Sequence, residues 1–206
     1  MEQFYEIGKI EAGVDEAGRG CLFGPVSIAS VVWSNEEEDT NIVIKDSKKM
    51  NHKQKMIAYD YILDNSIANS HKFINNDEID KTNILKSTIR GMHLCIDDIV
   101  DQLNIDTILV DGNQFDFYMD KNDNYINHEC IVDGDNKYKS IACASVIAKV
   151  RRDNYILELC EEYPELKKYD IHNNKGYGTK KHIDAIKEYG ITPWHRKTFG
   201  ICKEYC

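Results

Sequence analysis

No run in this 206-residue chain is long and apolar enough for a membrane, no cysteine pair has disulfide or zinc spacing, and no linker divides the chain. The longest apolar stretches, such as Ala29–Trp33, fall far short of the roughly 20 residues that a bilayer requires. The opening MEQFYEIGKIEAG carries acids and no apolar core, which excludes a secretory signal. Seven cysteines are scattered without a CxxC pair or a histidine partner pattern. They read as reduced thiols in a cytosol-like compartment, so the expectation is a cytoplasmic protein. With only three prolines, no repeats and no Gly/Ser tract, residues 1–206 read as one domain, and a monomer is the default. Neither GxGxxG nor a Walker-type GK[ST] follows a strand, which removes dinucleotide-binding and P-loop chemistry.

The net charge of −9 argues against a protein that coats nucleic acid through bulk electrostatics. That average conceals an asymmetry. Residues 167–206 hold nine Lys/Arg against four Asp/Glu, a local balance of +5 that leaves −14 on the other 166 residues. A basic region over about 165–206 suits local grip on a polyanion, and equally suits a lysine-coated helix.

Short β-branched segments at 8–15 and 25–33, bounded by Gly or Pro, predict two consecutive strands. A helical pattern follows over 51–64, then a strand near 70–74. Leu85, Ile89, Met92, Ile96, Ile99 and Leu103 recur at three- and four-residue steps, which predicts a long helix. A strand at 106–111 ends on Asp111, and a short one at 130–132 precedes a second long helix over about 140–162. A last helix near 180–188 stops at Gly190. Strands first, then helices interleaved with strands, predict a mixed α/β domain.

Polar residues at strand ends are where such folds build sites. Asp15 and Glu16 close the first strand and Asp111 closes a later one. Asp153 stands seven residues after Val146, three after Val150 and three before Ile156, on the apolar stripe of its helix, whereas Arg151 and Arg152 fall on the polar face. A buried acid is expensive unless paired or metal-bound, and Lys149 is its ordinary partner at i−4. Each acid alone also reads as a cap, turn or ion-pair residue. Together, with no Cys/His set, Asp15, Glu16, Asp111 and Asp153 describe a hard-oxygen site for Mg²⁺ or Mn²⁺. A pair of such ions is the usual device for displacement at phosphorus. Gly18, Arg19 and Gly20 allow close backbone approach to phosphate or sugar oxygens, with a guanidinium fork between them. They serve equally as a plain strand-to-turn connection.

These residues also carry a family likeness. The run Asp15-Glu16-Ala-Gly-Arg-Gly20 followed by Gly24-Pro25-Val26 resembles the opening signature of type 2 ribonuclease H, ribonuclease HII. The likeness continues through Asp46-Ser47-Lys48-Lys49, Val110-Asp111-Gly112-Asn113, Gly134-Asp135 and the Ser140–Asp153 helix. It ends on His172, Lys175-Gly-Tyr-Gly-Thr179, His182 and His195–Phe199. The resemblance implies a ribonuclease H-like fold, a central mixed β-sheet flanked by helices with a small helical C-terminal region that contributes to substrate binding. It implies metal-dependent cleavage of RNA in RNA/DNA hybrids, and cleavage on the 5′ side of ribonucleotides embedded in duplex DNA. Products would carry 3′-hydroxyl and 5′-phosphate ends, with roles in ribonucleotide excision and RNA primer removal. By motif position the metal ligands are Asp15, Glu16, Asp111 and Asp153. Gly18, Arg19 and Gly20 would read the 2′-hydroxyl, Tyr177 would stack beyond the junction, and Ser47 and Lys48 would touch backbone phosphate. Cys21 departs from the family in place of proline, Cys143 interrupts an alanine-rich helix, and Thr198 replaces serine. The absence of an extra N-terminal domain favours type 2 over type 3 enzymes. Other readings are a silent hybrid-binding module and a different phosphoryl-transfer enzyme on the same fold.

Overall fold

The computed structural model describes residues 1–33, 44 and 50–206. The expected Asp46–Lys49 block, with Ser47 and Lys48, lies outside the described residues. Strand β1 (Glu11–Ala17) pairs antiparallel with β2 (Val26–Val32), and after helix α1 (His52–Asn65) strand β3 (Ala68–Ile74) extends the meander. Two helices follow, α2 (Asn76–Lys81) and α3 (Ile84–Val100), and return the chain to β4 (Thr107–Asp111), which runs parallel to β1. The two-residue β5 (Tyr118–Met119) turns back into β6 (Tyr125–Ile131), parallel to β4. The sheet order is therefore β3-β2-β1-β4-β6-β5. Helices α4 (Gly134–Lys137) and α5 (Lys139–Glu162) follow, and α6 (Ile171–Asn174) and α7 (Lys180–Tyr189) complete the set, with 3₁₀ turns at Pro164–Tyr169 and Gly200–Tyr205.

Residue alternation along the central strands sets the layers. Val14, Val26 and Ile28 face α3, against Met92, Cys95 and Ile96. Ala29 and Val31 face the other way, against α1 and the Ala142–Val150 stretch of α5. Both faces of β2 are covered, so its sequence is continuously apolar or small. Helix α5 lies directly on β1: a side chain at Gly13 would enter the helix backbone at Ser140 and Ile141. A third core joins Leu22 and Phe23 to the end of α5 and to Leu166, Tyr169, Ile171, Ile186 and Cys202. The basic C-terminal region is thus bound to the loop that follows β1.

Most expected elements are present, with instructive differences. Strand β1 begins later than expected and continues through Ala17, with Glu16 opposite Ile28 and Ala17 opposite Ser27. Strand β6 starts at Tyr125, not at Cys130; its alternating polar and exposed residues give no apolar run to detect. Helices α2, α4 and α6, of six residues or fewer, are too short to show a helical period.

Candidate active site

Parallel pairing of β1 with β4 brings the first carboxylates together. Val14 stands opposite Val110, so the next residues, Asp15 and Asp111, project from adjacent strand ends toward the α5 face. Asp15 is only 5 % exposed. One of its oxygens accepts the Glu16 amide at 2.6 Å, and the Ser145 hydroxyl of α5 bonds its carboxyl. Burial, then the neighbouring charges of Glu16 and Asp111, hold its proton affinity well above the usual carboxylate range. Asp111 accepts the Gly134 amide, the first of α4, at 2.8 Å. Glu16 leaves the opposite face of β1, where Arg19 approaches it at 3.4 Å.

Asp153 is partly buried on α5, as its spacing predicts, and Lys149 pairs with it at 2.8 Å. The ordinary i,i+4 partner is therefore in place. The Lys149 ammonium also stands 5.8 Å from the centre of the Tyr177 ring, so Asp153, Lys149 and Tyr177 form one group. Arg152 corrects the sequence reading. It lies not on the polar face but fully buried, donating to the carbonyls of Pro25, Phe23 and Lys175. The signal was available, since Arg152 is four residues from both Ala148 and Ile156, each fully buried. Asp135 was singled out only by motif. Its side chain is 2 % exposed, and the residue before it supplies the amide that Asp111 accepts.

The Gly-Arg-Gly turn is held between two other loops. Leu22 donates its amide to Gly176 at 2.9 Å, Gly24 donates to Trp194 at 2.9 Å, and Leu22 accepts from the Arg196 amide at 2.8 Å. Gly18 adopts φ +92°, and a side chain there would enter the Arg152 guanidinium, so the fold itself requires this glycine. Gly20 differs: a methyl group would meet nothing within 4 Å. Open space at Gly20 suits close approach by a ligand. Tyr177 is 44 % exposed, its hydroxyl against the Cys21 thiol, which burial pushes above its usual range. His182 accepts or donates at both ring nitrogens, to the Tyr177 carbonyl at 2.9 Å and to His195 at 3.0 Å. Both imidazoles are fully buried, so His195 is a structural hydrogen bonder beneath this loop.

Among the described residues, no three His, Cys, Asp or Glu side chains gather tightly enough to form a ready cation cage. The donor chemistry nevertheless fits a hard divalent cation: Asp15 is buried beside two like charges, and its raised proton affinity marks a place where positive charge is wanted. No helix among the described residues is long and apolar enough to cross a membrane.

Residues 12–202 match the family model described as Ribonuclease HII. The chain is 43 % identical over 201 residues to ribonuclease HII of Parabacteroides distasonis, covering 98 % of this chain and 95 % of that protein. It is 43 % identical over 194 residues to ribonuclease HII of Bacteroides thetaiotaomicron, covering 93 % and 90 %. Among solved structures, ribonuclease H2 from Pyrococcus horikoshii superposes with a TM-score of 0.76 at 25 % identity, covering 95 % and 96 % of the two chains. Bst-RNase HIII, solved in complex with Mn²⁺, shares the fold with a TM-score of 0.69 at 17 % identity, over 96 % of this chain and 69 % of that one.

Proposed function

Because the chain belongs to the ribonuclease HII family, we propose that it hydrolyses the RNA strand of RNA/DNA hybrids and cuts duplex DNA on the 5′ side of an embedded ribonucleotide, in ribonucleotide excision and primer removal. The observation that carries this reading is the union of two features at one sheet end. The Asp15–Asp111 carboxylate pair lies at the ends of β1 and β4. The Gly18–Gly20 turn begins one residue beyond β1.

Asp15 and Asp111 would hold Mg²⁺ or Mn²⁺ from the α5 face, with Asp153 as the fourth acid; Glu16 starts from the other face of β1 and would join them by reaching round the strand end, where its charge already bears on Asp15. The bound ions supply an activated water and stabilise the leaving oxygen in displacement at phosphorus. The chain's own groups do the rest. Gly20 leaves room for a sugar edge, and the partly exposed Tyr177 ring offers a stacking face. Lys149 and Lys175, beside Asp153 and Tyr177, meet the phosphate charge.

For the fourth acid a second reading has its own observation. Asp153 is already neutralised by Lys149. Asp135 is more deeply buried and follows the Gly134 amide that orients Asp111. Asn substitutions separate the two. With a labelled RNA/DNA hybrid, Mg²⁺ and an EDTA control, Asp15→Asn and Asp111→Asn should each lower kcat by about 10²–10³-fold, the scale of losing a charge-stabilising group. A comparable loss in Asp153→Asn with a mild effect in Asp135→Asn supports the first assignment, and the reverse pattern supports the second. Near-wild-type rates in Asp15→Asn or Asp111→Asn would refute the site altogether.

A further inference from the structure

Two fully buried guanidiniums lie under the Gly-Arg-Gly turn, and neither forms an ion pair among the described residues. Arg196 donates through Nε to the Gly24 carbonyl at 2.9 Å and through Nη1 to the Arg19 carbonyl at 2.8 Å. Arg152 takes the carbonyls of Phe23, Pro25 and Lys175. Five charge-assisted bonds therefore end on backbone oxygens: Arg19 in the turn, Phe23, Gly24 and Pro25 between the turn and β2, and Lys175 before the Tyr177 loop. Isolated buried charge is costly, and the Arg196 guanidinium feels that cost: burial and the nearby Arg152 lower its pKa to about 10.

Peptide planarity gives the arrangement a consequence. In a trans peptide the carbonyl of one residue and the amide of the next point in opposite directions. Arg196 draws the Arg19 carbonyl inward, so the Gly20 N–H points outward. Gly20 is exposed, and its amide donates to no group among the described residues. We propose that Arg196 is a positioning residue for substrate selection, fixing the Arg19–Gly20 peptide so that its amide is presented to the 2′-hydroxyl of the bound strand, while Arg152 ties the segment that follows the turn to the Tyr177 loop. The inference rests on the ribonucleotide reading proposed above.

Arg196→Lys keeps the positive charge but loses the two-pronged hold on Arg19 and Gly24. The test is binding in EDTA, by fluorescence anisotropy, to a DNA duplex containing one ribonucleotide and to the same duplex in all-DNA form. The wild type prefers the ribonucleotide duplex. In Arg196→Lys that preference falls by about tenfold, the worth of one well-aimed hydrogen bond, while all-DNA affinity stays within about twofold and circular dichroism confirms the fold. A folded variant that keeps the preference, or that loses affinity for both duplexes equally, overturns the role of Arg196 alone. A wild type with no preference overturns the ribonucleotide reading and this inference with it. If Arg196→Lys does not fold, amide exchange in the wild type decides: the Gly20 amide is protected by the ribonucleotide duplex and not by all-DNA. Equal protection by both contradicts the proposal.

Discussion

His182 and His195 form a relay whose proton positions are dictated by its ends. The Thr192 amide donates to His195 Nδ1 at 2.9 Å, so that nitrogen is bare and Nε2 carries the proton. His195 then donates to His182 Nε2, which leaves the His182 Nδ1–H to hold the Tyr177 carbonyl. Both rings are neutral in the fold. Burial, then His182, lowers the His195 pKa to about 3, and burial lowers that of His182. Between pH 6.5 and about 3 the unfolded chain binds more protons than the folded one, so stability is lost as pH falls through that window and is complete above it. His195→Gln should flatten the pH dependence of urea unfolding between pH 6 and 4.5 by up to about 1.4 kcal/mol per pH unit. An unchanged slope would show that His195 is not held neutral. Residues of this kind were only partly legible in the sequence. Asp15, Glu16 and Asp111 announced themselves at strand ends, and spacing places Glu16 on the other face and Arg152 beside Ala148 and Ile156, but no spacing rule reveals the carbonyls of Pro25, Phe23 and Lys175 that satisfy the buried guanidinium.

Elements were more legible than single side chains, because hydrophobic period survives individual exceptions. The three- and four-residue steps beginning at Leu85 predicted α3, observed over Ile84–Val100, and α5 was expected over 140–162 and runs Lys139–Glu162. Strand β6 was expected only as a short strand at 130–132, because its earlier part from Tyr125 is largely exposed and has no apolar run. The seating of α5 on β1 depends on Gly13, and the turn after β1 depends on Gly18, whereas Gly20 has no steric duty. Urea midpoints should therefore rank the alanine variants. Gly13→Ala and Gly18→Ala should cost about 1–3 kcal/mol or more through overpacking, and Gly20→Ala should stay within about 0.5 kcal/mol of wild type. Equal stability for Gly13→Ala would contradict the direct packing of α5 on β1.

Across the whole molecule, charge and topology converge on one end of the sheet. The acidic body contributes Asp15 and Asp111, and the basic C-terminal region contributes Lys175 beside Asp153. Their union is invisible to a sequence read in segments, because it depends on Leu22 and Phe23 joining the C-terminal core. Because the chain carries a net charge of −9, a polyanionic substrate would have to be attracted locally, at the site, and not by the surface as a whole. The mixed α/β class followed from element order, while the pairing of β1 with β4 required the three-dimensional register.

The most direct measurement is cleavage of a DNA duplex carrying a single ribonucleotide, with Mg²⁺ or EDTA, the product mapped to nucleotide resolution. A metal-dependent cut immediately 5′ to the ribonucleotide, leaving a 3′-hydroxyl and a 5′-phosphate, with the all-DNA duplex intact, is the result predicted. Cleavage of the all-DNA duplex, or cutting that survives chelation, would contradict the account.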